Sequence, residues 1–164
     1  MTGDEAVARA RMLFLNDSHT YGCAETTFVV LKEAFGLPKS ADSSAAVALN
    51  GGIAYGGGVC GAISGAALAG GLLAAHFLPD HQAAKGTARG IIAQLMDDFQ
   101  QAFGALDCRE LLGRDIRTPQ EHQAFLDSDV WREVCMGQIE FSVRTLAALP
   151  DDPMWGRAAP TSSP

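Results

Sequence analysis

A long segment without charged residues is the feature that most constrains the fold of this chain. Between Ser43 and Pro79 there is no Asp, Glu, Lys or Arg. The stretch from Val59 to Leu78 is long enough to span a bilayer, but Gly, Ala and Ser dominate it. Because burying such small side chains in lipid gains little free energy, we expect no membrane span. The segment instead predicts a central helix that protein surrounds on all sides.

Helical periodicity also dominates the rest of the chain. Apolar residues recur at a spacing of three to four in several segments, and no segment alternates as a strand does. The predicted helices cover residues 3–17, 22–35, 43–49, 59–77, 80–103, 107–112 and 128–149. We therefore expect an all-α fold, a single-domain helical bundle over residues 3–149 with a buried Ala/Gly-rich central helix. Residues 150–164 are rich in Pro, Ser and Ala, which predicts a flexible C-terminal tail.

The charge balance excludes one class of partner. Lys and Arg number 12 and Asp and Glu number 19, so the formal net charge is −7. Because an acidic chain without a basic cluster repels phosphate backbones, we expect no nucleic-acid partner. The first five residues, Met1 to Glu5, are acidic where a secretory signal would be basic. We therefore expect a cytoplasmic protein, in a compartment where structural disulfides are rare.

Four cysteines occur singly, each in a different predicted segment. No two of them lie within three residues of each other, so there is no CxxC motif. A single cysteine is most often a small buried hydrophobe. Three of these lie in the first turn of a predicted helix, where free N–H groups and the helix dipole favour a thiolate and lower its pKa. The four residues are Cys23, Cys60, Cys108 and Cys135.

Glycines next to Cys60 also indicate a site for a bulky group. Gly56, Gly57 and Gly58 precede this cysteine, and Gly61 follows it. A helix that starts between glycines leaves room for a metal or cluster and directs N–H groups at its sulfurs. We therefore predict that Gly58 and Gly61 bind a cofactor. A phosphate-binding loop is the alternative, but no Lys-Ser/Thr pair follows and no clear strand precedes.

The cysteine segments resemble those of a known family. Residues 60–65, CGAISG, match the CGAxxG motif of the C_GCAxxG_C_C redox-active family at every fixed position. Residues 22–24, residues 107–113 and Cys135 are similar to its other three cysteine segments, and the resemblance covers about residues 5–148. It implies a small helical protein with a cysteine-based redox or metal centre. Similar domains fused to electron-transfer proteins favour an iron–sulfur cluster, with the two-iron type (2Fe-2S) as one option.

The sequence leaves several functions open. Four thiolates suit an iron–sulfur cluster or a tetrahedral zinc ion. The leading hypothesis is a redox protein whose four cysteines bind an iron–sulfur cluster and which exchanges electrons with a redox partner protein. The alternatives are a metal-free thiol–disulfide protein and a zinc-stabilised helical scaffold. Whether the protein is an enzyme is not decided, and the small residues of the central helix also permit a homodimer.

Three polar or aromatic residues near these segments carry further expectations. We expect His19 to be a surface or capping residue, with a role at the centre as the alternative. Tyr55 lies between glycines and would either cover the cysteine centre or belong to the ordinary core. We expect Glu25 to lie on a solvated face of its helix.

Overall fold

The structure is a computed structural model that describes residues 1–155. This part of the chain is helical and contains no strand, apart from one isolated β-bridge. The all-α prediction is thus confirmed. The helices are α1 (Gly3–Phe14), α2 (Cys23–Ala34), α3 (Gly61–Phe77), α4 (His81–Phe103), α5 (Cys108–Leu112), α6 (Pro119–Leu126) and α7 (Met136–Leu146). Short 3₁₀ turns cover Ser44–Leu49, Leu149–Asp151 and Pro153–Trp155, and a π-helical turn covers Trp131–Cys135.

Helices α2 and α3 form the centre of the bundle. Helix α2 packs against α1, α3 and α7, while α3 also packs against α4 and α7. Every residue of α2 from Ala24 to Lys32 is buried. Helix α3 is the predicted Ala/Gly-rich helix and is buried over most of its length, although Leu72 near its C-terminal end is 46% exposed. No helix within residues 1–155 is long and apolar enough to cross a membrane.

Two glycines one helical turn apart allow α3 to cross α2 at close range. A Cβ on Gly65 would overlap the carbonyl oxygen of Ala24 and lie 3.1 Å from its carbonyl carbon. A Cβ on Gly61 would overlap the Cys23 Sγ and lie 2.9 Å from the Ala24 nitrogen. Because most of these neighbours are backbone atoms, they cannot turn aside as a side chain could. Glycine is therefore required for this crossing, which sets the start of α2 against the start of α3.

Several predicted helix limits differ from the structure. Helix α1 ends at Phe14, three residues before the predicted end, and the Asn16 side chain donates to a carbonyl at that end. The predicted helix over 128–149 is divided between the π-helical turn and α7. Asp107, which directly precedes α5, makes no side-chain hydrogen bond to that helix. Helix α6 was not predicted, although Thr118 and Glu121 form a capping box around Pro119 at its start.

The ordered chain continues past the predicted start of the tail at residue 150. Trp155 is 8% exposed, its Nε1 donates to the Leu149 carbonyl oxygen at 2.7 Å, and its ring lies 4.9 Å from that of Phe77. Residues 156–164 lie outside the described part, so a flexible tail stays a prediction for them.

Candidate functional site

The four cysteines lie at or near the starts of helices, on four separate elements. Cys23 begins α2, Cys60 caps the N-terminus of α3, and Cys108 begins α5. Cys135 ends the π-helical turn that precedes α7. All four are free thiols; Cys23 is half-buried, and the other three are buried. The predicted positions at three helix starts are therefore confirmed.

A short antiparallel pairing of two loops brings Cys60 and Cys108 together. The residues that directly precede the two cysteines form the isolated β-bridge. The Cys60 N–H donates to the Leu106 carbonyl oxygen at 2.8 Å, and the Cys108 N–H donates to the Gly58 carbonyl oxygen at 2.7 Å. Gly58 thus acts on the site through its backbone, by fixing where α5 begins.

The sulfur of Cys23 is surrounded by backbone donors. The N–H groups of Ala24, Gly51 and Gly61 are directed at it and favour its ionised form. Burial nevertheless raises the pKa of the Cys23 thiol, because desolvation outweighs these hydrogen bonds. The expectation that a helix start lowers the pKa of this cysteine is therefore wrong.

The other three thiols are also held in their neutral form. Burial raises the pKa of Cys108 to about 12 and raises those of Cys60 and Cys135 further above the ordinary value. After burial, the charges of the other three thiols contribute most to the raised pKa of Cys135. The Cys23 sulfur also lies against Gly61, the residue that follows Cys60. The Cys60 thiol also donates to Gln138 Oε1 at 3.4 Å, which links α3 to α7.

The thiols do not form a ready-made metal site. Within residues 1–155, no group of three or more His, Cys, Asp or Glu side chains is arranged to hold a metal ion. The donor chemistry still suits a cluster, since four cysteine sulfurs are the usual ligand set of iron–sulfur proteins. Metal binding would require the thiols to lose their protons and their sulfurs to turn towards a common point.

A cavity of about 300 Å³ lies beside three of the thiols. Cys23, Cys108 and Cys135 line it, whereas Cys60 is not part of its wall. The remaining wall is largely aromatic. The rings that line it are Phe14, His19, Tyr21, Tyr55, His122, Phe125 and Trp131. His19 is exposed as expected, but its ring also packs on Trp131 at 4.8 Å and faces the cavity.

A left-handed backbone segment lies next to Cys23. The five consecutive residues from Gly51 to Tyr55 all have positive φ, between 49° and 70°. This conformation costs roughly 1–2 kcal/mol for each residue other than glycine, here Ile53, Ala54 and Tyr55. Backbone hydrogen bonds hold the segment, including one from the Ala54 N–H to the Ala48 carbonyl oxygen at 2.8 Å. The sequence indicated unusual backbone here through its glycines, but not a continuous left-handed turn.

A buried polar network fixes this segment to the start of α2. Asn50 Oδ1 accepts from the Ala24 N–H at 3.0 Å, and Asn50 Nδ2 donates to Glu25 Oε2 at 2.9 Å. The Glu25 carboxylate also accepts from the Gly22 N–H and the Ser43 hydroxyl, both at 3.0 Å. The expectation that Glu25 lies on a solvated face is wrong, since the residue is only 9% exposed. Glu25 thus satisfies the Gly22 N–H and Asn50 satisfies the Ala24 N–H, two of the backbone donors at the helix start.

The sequence of this chain matches one known protein family. The profile of the family described as "Putative redox-active protein (C_GCAxxG_C_C)" matches residues 21–149. The matched region includes all four cysteines, the glycines of the α2–α3 crossing and most of the cavity wall. No curated protein matches the chain significantly, and neither does any solved structure. Since the family match spans well over half of its length, the chain belongs to the C_GCAxxG_C_C family of redox-active proteins.

Proposed function

We propose that the four cysteines form one redox centre, and that this centre binds an iron–sulfur cluster for electron transfer. The observation that carries the proposal is that Cys23, Cys108 and Cys135, from three separate elements, line one cavity. The fourth cysteine, Cys60, is followed by Gly61, which lies against the Cys23 sulfur. Unrelated buried cysteines would have no reason to gather in this way. A bound iron–sulfur cluster supplies reversible electron transfer without bond changes in a substrate.

The backbone around the sulfurs supports this proposal. The N–H groups of Gly51 and Gly61 point at the Cys23 sulfur, and that of Ala62 points at the Cys60 sulfur. The Ile63 N–H donates to the Cys60 carbonyl oxygen at 3.0 Å. Hydrogen bonds to cysteine sulfur are one of the means by which proteins set the potential of a cluster. Gly61 also leaves free the space that a side chain would take from the Cys23 sulfur. We accordingly propose Gly61 as a residue that touches the cofactor, and Gly58 as one that positions Cys108.

A metal-free thiol–disulfide protein is the second candidate. The observation that favours it is the absence of a metal-holding arrangement in residues 1–155, together with a cavity that reaches three thiols. In this cycle two thiols release two protons and two electrons as their sulfurs join, and the disulfide of a partner molecule is reduced to two thiols. Cys23 is the best candidate for the attacking group, because it is half-buried and backbone donors stabilise its thiolate.

Anaerobic reconstitution with ferrous iron and sulfide separates these candidates. We expect iron and sulfide to bind together with a visible spectrum, and both to be lost in Cys23→Ser, Cys60→Ser, Cys108→Ser and Cys135→Ser. Ser142→Ala is the matched control, because Ser142 is a buried residue of α7 outside the cavity wall and should leave the iron content unchanged. Circular dichroism of each variant checks that it folds.

The other outcomes identify the alternatives. If the protein is colourless and binds one zinc ion tightly, the cysteines form a structural zinc site. A protein that binds neither metal, and in which a disulfide reagent joins a defined cysteine pair, would establish the thiol–disulfide cycle instead.

We further propose a protein redox partner and a cytoplasmic location, where a reducing environment keeps free thiols reduced. The predicted homodimer stays a prediction, which sedimentation would test.

A further inference from the structure

Two aromatic clusters form part of the wall of the cavity beside the thiols. In the first, the Trp131 ring packs edge-on against Phe14 at 5.7 Å and His19 at 4.8 Å. In the second, Tyr55 packs on His122 at 4.3 Å, and His122 stacks on Phe125. Both clusters line the same space as Cys23, Cys108 and Cys135. Aromatic faces on the walls and thiols beside them are suited to a flat conjugated molecule.

The two imidazoles face this shared space. Burial lowers the pKa of His122, and the charge of His19 lowers it further, so the two rings are within electrostatic reach. In either protonation state an imidazole carries at least one N–H donor, which a ligand oxygen can accept. The arrangement therefore places a polar donor in each aromatic cluster.

The size and charge of the cavity exclude nucleotide cofactors. Its volume of about 300 Å³ lies at the lower end of the usual range for small-molecule sites, about 300–1,000 Å³. No Lys or Arg side chain lines it within residues 1–155, so a phosphate group would have no cationic partner. The Glu25 carboxylate, which also lines the cavity, already accepts hydrogen bonds from Gly22, Ser43 and Asn50. The ligand should thus be small, planar and uncharged, with oxygen acceptors.

We infer that this cavity binds a small quinone, which exchanges electrons with the thiol centre. The inference rests on the proposed redox role of the cysteines and names the class of molecule that reaches them. The chemistry balances in the metal-free cycle, because two thiols that join as a disulfide release two protons and two electrons. Reduction of a quinone to a hydroquinone consumes the same two protons and two electrons.

Equilibrium dialysis with duroquinone under anaerobic conditions tests the inference. Its ring is fully methylated, which blocks addition of thiols to the ring carbons, and the oxidised and reduced probe are quantified together. Val47→Trp adds an indole at the mouth, since Val47 lines the cavity and is 55% exposed. Met12→Trp is the matched control, because Met12 is 71% exposed and lies outside the cavity wall.

We expect saturable binding of about one probe per chain, weakened about tenfold or more by Val47→Trp and unchanged by Met12→Trp. Absence of saturable binding, or equal affinities in all three proteins, would overturn the inference. Iron content and disulfide formation are measured on the same samples. A protein that loads iron or forms the disulfide without binding the probe refutes the quinone site alone. Probe binding without either redox property refutes the proposed function alone.

Discussion

Replacing Gly65 with alanine tests whether the family motif serves close helix packing. The added Cβ would overlap the Ala24 carbonyl oxygen and lie 3.1–3.2 Å from the Ala24 C and Cα atoms. Overpacking of this kind costs roughly 1–3 kcal/mol. Because the new Cβ meets backbone atoms that cannot turn aside, the cost should lie near the upper end of that range. Alanine recovers about 1 kcal/mol through its better helix propensity. We therefore expect Gly65→Ala to lower the free energy of unfolding by about 1–2 kcal/mol.

Gly71 provides the matched control, because it lies in the same helix and a Cβ there would meet nothing within 4 Å. Gly71→Ala should raise the free energy of unfolding by about 0.5–1 kcal/mol, since only the propensity gain applies. Urea unfolding of the reduced, metal-free proteins, followed by circular dichroism, measures both values. The packing argument is refuted if Gly65→Ala is as stable as the parent protein, or if both variants shift in the same direction.

Two further predictions concern backbone strain and the buried thiols. Ala54→Gly should raise the free energy of unfolding by about 0.5–1 kcal/mol, because glycine adopts positive φ without the steric cost. The control Ala75→Gly, at an exposed site in α3, should lower it by about 1 kcal/mol. Equal shifts of the two variants in urea unfolding would contradict the strain at Ala54. The metal-free protein should lose stability above about pH 8.5, the ordinary thiol pKa, because the folded state holds the Cys108 proton up to a pKa of about 12. Urea midpoints at about pH 7 and pH 9.5 measure that loss of stability, which should be smaller in Cys108→Ser. If the stability difference between the parent protein and Cys108→Ser does not change with pH, the Cys108 thiol is not the source of the loss.

Local sequence patterns predicted most of the fold. Helical periodicity located α2, α3 and α4 to within a few residues, and Cys23, Cys60 and Cys108 lie at helix starts as expected. Helix α6 was detectable, because Thr118, Pro119 and Glu121 form a standard start signal. These features depend on residues within one turn of each other, which a single sequence contains in full.

Properties that depend on the surroundings were not predictable in the same way. The helix start favours a thiolate at Cys23, yet the burial supplied by distant segments raises the pKa of this thiol instead. Glu25 resembles a solvated residue until Asn50, 25 positions away, is placed beside it. The left-handed turn at Gly51 to Tyr55 is likewise stabilised by its tertiary setting, against the local preference of three of its residues.

The geometry of the motif around Cys60 explains why glycines accompany its cysteine. Gly65 makes room for the Ala24 carbonyl group, and Gly61 makes room for the Cys23 sulfur and directs an N–H at it. Two of the four fixed positions in CGAxxG thus serve the approach of α2, the helix that carries another cysteine. Because that approach sets the Cys23 sulfur against Gly61, the residue that follows Cys60, helix packing and the surroundings of the Cys23 thiol depend on the same residues. A substitution at either glycine should therefore alter the reactivity of Cys23 as well as the stability of the fold.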